Sequence, residues 1–521
     1  MPSLFAQTFL PDGYPDSVAP EYARYQLWDT IQQCAFFTNT VISSMAIMRF
    51  HGVGVAGATP AAATALSMSR DLIAALFALC ASTPGIVAVY KRHAAPFRGA
   101  AGVLDAAGHF VEVLAGLASA SRPGSWMLYL GPIVCAVGGT VGGTVRSVIL
   151  QHFGEGGSRR ASPDYGDITL KESNQDKAGK VVGLAIGFAL LSHFLSGAPA
   201  SDGTSAASSD TETGMLGLFV GLGFVHIVGN AICTCQLRLQ PAATEELQPL
   251  PPSSPVSPST ATGWQQPSFL RRMFLPPGYP RSMADSYLLY QLWARLDTAI
   301  AWPRAVVSQM VTWQFVYGVG DQKKTPAGAV QIDIFMQTVA CVVALLSGFA
   351  RVGKALRYVS PTWKLHAALI GLVARSVQLG AAFLAQEGHS IAFYALTALA
   401  QALAAFASTA GARVNGTIPN NLIRDREKVK LVDVKICDTN QALVVQMVSG
   451  LLCVVYLYHL VGRGVVPDTP SLIAVFAALQ LFSFASALGV YRAMPLPDSD
   501  RRDYTEREEE NGRLRSSVAA S

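Results

Sequence analysis

Twelve apolar stretches run through this chain, each about 17–25 residues long, the length a bilayer's hydrocarbon core demands of a helix. They fall near 31–50, 58–82, 101–120, 126–150, 178–196 and 214–236, then near 296–317, 328–350, 366–386, 390–411, 442–462 and 470–491. Lipid offers no water to the peptide groups, so such a run must close its hydrogen bonds within itself, as an α-helix does. Composition agrees. Of 521 residues, 51% are hydrophobic and only 14% are charged, and the mean hydropathy is +0.33. Soluble globular chains carry roughly 25% charge. The expected fold class is all-α, a polytopic helical membrane protein, with the lipid bilayer as its first partner. A soluble enzyme and a disordered chain are both disfavoured, and a net charge of +5 is too small to imply nucleic acid. The eight cysteines form neither a disulfide framework nor a zinc-type CxxC pair.

The stretches come in two sets of six because the chain is duplicated. Phe9-Leu10-Pro11-Asp12-Gly13-Tyr14-Pro15 returns as Phe274-Leu275-Pro276-Pro277-Gly278-Tyr279-Pro280, and Tyr25-Gln26-Leu27-Trp28 as Tyr290-Gln291-Leu292-Trp293. Asp167-Ile168 and Asn174-Gln175 answer to Asp433-Val434 and Asn440-Gln441 at a nearly constant offset. Self-similarity of this kind marks repeated structural units. The expected organisation is a first repeat over 1–239, a Pro/Ser-rich linker over 240–268, a divergent second repeat over 269–496 and a charged tail over 497–521. An even number of helices per repeat inserts both copies in the same orientation, about an axis along the membrane normal.

Charge orients the array. With alternating helices, most of the 39 Lys and Arg residues fall on the side shared by both termini, among them Lys91, Arg92, Arg159, Arg160 and the cluster Arg424 to Lys435. The other side receives Arg49, Arg122, Lys323, Lys324 and Arg463. The positive-inside rule then puts both termini on the cytosolic or an equivalent side, with the organelle left open.

The opening FLPDGYPDSV with Tyr22, Tyr25-Gln26 and Trp28-Asp29 resembles the start of the root UV-B sensitive protein family. So do Gly143-Thr144-Val145-Arg146 running to Gln151-His152-Phe153, the stretch Asp167 to Gln175, and the pair Arg70-Asp71. The likeness covers about residues 9–195, and the second half shares it mainly through its opening and through Asp433, Asn440 and Gln441. It implies a membrane-associated protein of a family linked in plants to root responses to UV-B, seedling development and auxin transport. It supplies no reaction. The segment Leu104 to Val113 departs from the family's charged pattern, keeping His109 and Glu112, and Met336-Gln337 stand where Arg70-Asp71 would fall.

The candidate solute-binding residues are Arg70, Asp71, Arg146, Asp167, Lys171, Glu172 and Gln175. Charges at mid-bilayer cost about 2.5–3.5 kcal/mol each on insertion scales, so they face a partner or a cavity. Adjacent residues project about 100° apart on a helix, so Arg70 and Asp71 meet different neighbours, with Arg146 a candidate partner for Asp71. Asp167, Lys171 and Gln175 share one face at helical spacing, as a polar binding surface or as a solvated turn capped by Asp167 ahead of a helix at 178. The Pro/Gly-interrupted, Tyr/Trp-rich opening reads as a structural collar at the membrane interface. Gly138, Gly139, Gly142 and Gly143 form two overlapping GxxxG pairs suited to close helix approach. Cys233-x-Cys235 reads as packing or palmitoylation chemistry. Gly52-x-Gly54-x-x-Gly57 follows an apolar helix rather than a strand, and Gly348 to Lys354 lacks the Ser or Thr of a phosphate loop.

No metal spacing, cofactor motif or nucleophile–base set is present, so neither an enzyme nor a cofactor is expected. Two functions remain: a transporter or carrier of a small polar or amphipathic solute, or a non-transporting scaffold recruiting partners through its basic loops. Homo- or hetero-oligomers fit either. Protease protection on sealed vesicles should place both tails on the same face, and the sequon Asn415-Gly416-Thr417, on that basic side, should stay unglycosylated. Tails on opposite faces would overturn the twelve-helix topology.

Overall fold

The computed structural model describes residues 4–50 save 12, 60–117, 126–156, 165–196, 207–237, 273–318 save 277, 278 and 280–282, 326–348, 362–386, 390–421, 431–463 and 469–493. A short helix α1 (Leu4–Phe9) precedes α2 (Tyr22–Phe50), α3 (Pro60–Ala81), a second short helix α4 (Pro84–Arg92), α5 (Ala94–Leu117), α6 (Met127–Glu155), α7 (Tyr165–Ser196) and α8 (Ala207–Gln236). The second half supplies α9 (Tyr287–Gly318), α10 (Pro326–Gly348), α11 (Thr362–Gln386), α12 (Ser390–Asn421), α13 (Leu431–Gly462) and α14 (Thr469–Ala493). The twelve long helices match the twelve apolar stretches, six in each half. The linker over 240–268, the tail and Gly52 to Gly57 lie outside the described residues.

Helix ends differ from the sequence reading where polar residues extend the apolar run. α7 begins at Tyr165, so residues 167–175 are its first turns and not a solvated turn before a helix at 178. α8 begins at Ala207, ahead of the apolar stretch expected near 214–236, and takes Asp210 and Glu212 into the helix. Proline sets three starts: Pro60, Pro84 and Pro326 open α3, α4 and α10, where the missing N–H has no intrahelical partner to lose. Pro132 and Pro303 lie inside α6 and α9, which membrane helices tolerate because neighbours take up the freed carbonyl.

Among the described residues, five helices hold spans long and apolar enough to cross a membrane: Thr64–Ala81, Ala94–Leu117, Met127–Gly154, Thr213–Gln236 and Ile436–Gly462. Others, such as α2 and α7, dilute their hydropathy with polar residues that turn inward: Asp29, Gln32 and Asn39 on α2 and Glu172 and Asn174 on α7 are all buried. The outer faces invert this pattern. On α13, Val448, Leu451, Leu452 and Val455 are exposed at helical spacing while Val454 and Leu457 are buried. Such a contiguous apolar face would aggregate in water. Against lipid tails it is the solvated surface.

Each half packs its helices in the same pairs. In the first, α2 lies against α5, α7 and α8, α5 against α6 and α8, and α3 against α6; in the second, α9 lies against α11, α13 and α14, α11 against α12 and α14, and α10 against α12. The halves meet reciprocally. α3 crosses to α9 and α13 of the second half, while α10 crosses to α2 and α7 of the first. Ala65 and Met68 of α3 bury against Val306, Val307, Val454 and Leu457 in this seam.

Small residues let α5 and α6 approach closely. A Cβ on Gly108 would lie 2.8 Å from the Gly131 carbonyl oxygen and 2.9 Å from the Cys135 backbone nitrogen. Of the two overlapping glycine pairs, only one uses this seam: a Cβ on Gly138 would meet Leu104 and Asp105, and one on Gly142 would meet Ala101, whereas Gly139 and Gly143 face open space. Gly108→Ala should therefore cost about 1–3 kcal/mol through overpacking against rigid backbone. Gly139→Ala should be neutral or gain the roughly 0.5–1 kcal/mol that alanine holds over glycine in a helix. Thermal unfolding of the two purified variants checks the contrast.

Candidate functional site

The recurring opening segment folds against the start of α7. The Asn174 side-chain amide donates to the Thr8 carbonyl at 3.1 Å and that of Gln175 to the Phe9 carbonyl at 2.7 Å. The second half repeats both bonds: Asn440 donates to the Met273 carbonyl at 3.0 Å and Gln441 to that of Phe274 at 2.6 Å. Gly13, at φ +78°, supplies the turn that only glycine adopts without strain. Tyr22 and Tyr25 then bury against the edge of Phe153, whose carbonyl accepts from the Ala19 backbone, and His152 meets Glu21 at 2.7 Å. The opening, the Gln-His-Phe end of α6 and the Asn-Gln of α7 are thus one knot. Gln175 serves it: its amide nitrogen holds the opening segment.

Above this knot lies a layer of paired charges. Arg146 of α6 reaches across to α7, with Nε 3.1 Å from Glu172 and Nη2 2.6 Å from Asp176. Arg146 therefore does not partner Asp71, as its sequence position had suggested; two carboxylates one turn apart on α7 hold it instead. Arg98 of α5 pairs with Asp29 of α2 at 2.5 Å and donates to the Tyr25 hydroxyl at 3.2 Å. Gln32 donates to Asp29 and accepts from Asn230, which also lies 3.3 Å from His226. Asp167 and Lys171, both buried, stand 3.9 Å apart on successive turns of α7. All these groups lie toward one end of the half, near the starts of α2, α5 and α7 and the ends of α6 and α8. Arg146, for example, is nine residues from the end of α6, or about 13 Å at 1.5 Å per residue.

Arg70 belongs to a second, separate cluster. It donates from Nη2 to Glu112 at 2.6 Å and from Nε to the Leu128 carbonyl at 2.9 Å. Ser43 and His109 complete the shell of Glu112 at 2.7 and 3.0 Å. Asp71, turned away from this cluster, is exposed. The candidates thus divide: Arg146, Glu172, Asp167, Lys171 and Gln175 share one end of the first half, while Arg70 and Asp71 sit halfway along α3. Asp29, Arg98, Glu112 and Asp176 were missing from the sequence-derived set, although each is a charge inside or beside an apolar run.

The second half is not bare of charge. Asp438, at the position corresponding to Glu172, pairs with Arg295 of α9, so its cation comes from the first long helix of that half and not from the fourth. Asp297 and Arg304 of α9 meet Ser483 of α14. Cys233 is buried and Cys235 exposed, on different faces of α8, and the described residues gather no group of three or more His, Cys, Asp or Glu suited to a metal. A small pocket between α2, α5 and α8, lined by Ile42, Met45, Val113, Leu117 and Met215, is apolar.

These features define a polytopic all-helical integral membrane protein with the fold of a membrane transporter. The chain superposes on a D-xylose–proton symporter with a TM-score of 0.54 at 13% identity, over 91% of this chain and 98% of that one. It also superposes on the POT family transporter PepTSo, at 0.54 and 12% identity over 90% and 97%. At such identity the likeness is one of fold. The model of the family described as vitamin B6 photo-protection and homoeostasis domain matches residues 1–241 and again 263–495. The chain belongs to this root UV-B sensitive family. It is 29% identical over 201 residues to protein root UVB sensitive 3 of Arabidopsis thaliana, covering 37% of this chain and 42% of that protein. It is 29% identical over 191 residues to RUS family member 1 of Dictyostelium discoideum, covering 35% and 33%. The alignments thus span less than half the length of these relatives.

Removing one partner of a buried ion pair costs about 3–5 kcal/mol, because the other charge is left alone. Arg70→Met and Glu112→Leu should each destabilise on that scale, and the double variant should recover most of the loss. A double-mutant cycle of unfolding free energies measures the coupling; additive losses would contradict the pairing.

Proposed function

We propose that the protein is a carrier for a small polar or amphipathic solute, which passes along the seam between its two halves. Asp71 carries this reading. It lies halfway along the apolar span Thr64–Ala81, it is exposed, and its helix is one of the two that cross the seam. A carboxylate at that depth does not face lipid tails; it faces a partner or a polar path. Arg70, one residue earlier, turns about 100° away into the first half and pairs with Glu112, so Asp71 is left without that counter-charge. The transporter-type fold supports the same reading. The basic face is cytosolic or equivalent in this scheme. The family description makes the vitamin B6 pyridines the first solutes to try.

Uptake by the purified protein in liposomes, screened with labelled pyridine vitamers and a wide panel of polar metabolites, tests the proposal. Asp71→Asn keeps the shape and removes the charge; it should accumulate normally and lose about tenfold or more in uptake, the weight of roughly 1.4 kcal/mol. Lys171→Gln probes the charge layer in the same way. If no solute enters, or if both variants transport at the full rate, the scaffold reading takes its place.

A further inference from the structure

The second half holds a mid-membrane centre with more hydrogen-bond donors and more positive charge than its own side chains satisfy. α9 and α14 pack side by side, with Ser486 donating to the Trp293 carbonyl at 2.5 Å and Ser483 to Asp297 Oδ1 at 2.7 Å. This register runs antiparallel, so the next inward position on α14, Gln480, falls opposite the turn between Asp297 and Arg304. Arg304 donates to Ser483 from Nη1 at 2.6 Å and approaches Asp297 through Nη2 at 3.6 Å. Its Nε is buried and has no hydrogen-bond partner among the described residues, and neither has the Nε2 of Gln480, a side chain only 4% exposed. Arg375 is half-buried halfway along α11, which packs against both α9 and α14, and it makes no ion pair or hydrogen bond among the described residues.

Asp297 is the one carboxylate on α9, α11 and α14. Two guanidinium groups therefore share a single negative charge near the middle of three helices. Buried donors as a rule find acceptors, and an unmatched cation at this depth is costly. Arginine's planar fork is the side chain best matched to a carboxylate or phosphate. The centre also adjoins the seam between the halves: Val306 and Val307, two and three residues beyond Arg304, and Leu479, next to Gln480, pack against Ala65 and Met68 of α3.

We propose that Arg304, Arg375 and Gln480 form a binding site for an oxyanion of the phosphate type, with Asp297 holding Arg304 in place and tempering the charge. The group enters either as a soluble phosphate or as the headgroup of an anionic lipid. The proposal concerns binding and does not require transport; phosphate bound with no uptake of any solute would remove the carrier reading alone.

Equilibrium binding of labelled inorganic phosphate to the full-length protein in detergent is the first arm, and binding to nanodiscs of phosphatidylcholine with and without phosphatidic acid the second. Saturable binding in the first arm, competing with the second, marks a soluble ligand; binding of phosphatidic acid alone marks a headgroup. Either should weaken by about tenfold or more in Arg375→Gln, which removes a cation that has no partner to strand. Asp297→Asn should tighten binding, a gain that damaged folding cannot mimic. Gln480→Leu, expected to fold because it deletes an unmatched donor, should weaken binding and decides the matter if Arg375→Gln does not accumulate. No saturable binding in either arm, or affinities unchanged in these variants, overturns the proposal.

Discussion

A charge inside a bilayer needs a counter-charge, and the helices of the first half are arranged to provide one. Arg70 has Glu112, Arg98 has Asp29, and Arg146 has Glu172 with Asp176. Each pair joins two different helices, so each fixes a rotation as well as an energy. An α6 turned by one residue would carry Arg146 about 100° from both its carboxylates. Replacing such pairs by apolar side chains often leaves stability unchanged. Their contribution here is register, because apolar contacts between lipid-bathed helices distinguish poorly among rotations.

Backbone polarity imposes the second layer of order. Thr8 and Phe9 end α1, where the last carbonyls have no intrahelical donor, and the side-chain amides of Asn174 and Gln175 donate to them. The sequence repeats this solution to the letter in Asn440 and Gln441. An amide that satisfies a buried carbonyl is hard to substitute, since no other side chain of that length both donates and stays neutral. What survives between the halves is therefore the scaffolding. The charged residues of α3 have given way to Met336 and Gln337 in α10.

The number and placement of the helices were legible because bilayer thickness writes its length directly into the apolar runs. Their ends were less so. Tyr165 to Gln175 reads as polar, yet it is helix, because its Asp167, Glu172 and Asn174 turn inward to partners on other elements, and hydropathy counts a buried polar residue as if it were solvated. The same blindness governed the site. Arg70 and Arg146 were visible as charges in apolar runs, but their partners lie 42 and 26 to 30 residues away, and no periodicity within one helix encodes which of several carboxylates will be met. Asp29 was hidden by its motif, read as collar when it also anchors Arg98.

The crosswise packing of α3 and α10 bears on how such a chain diverges. Each of these helices presents its face to the opposite half, so a change on that face is felt by a partner encoded hundreds of residues away. Those surfaces are held in step like the two sides of a homodimer, even though a single gene carries both. Positions pointing into one half alone are under no such tie. There the first half places Arg70 against Glu112, and the second places Arg304 against Asp297 and Ser483.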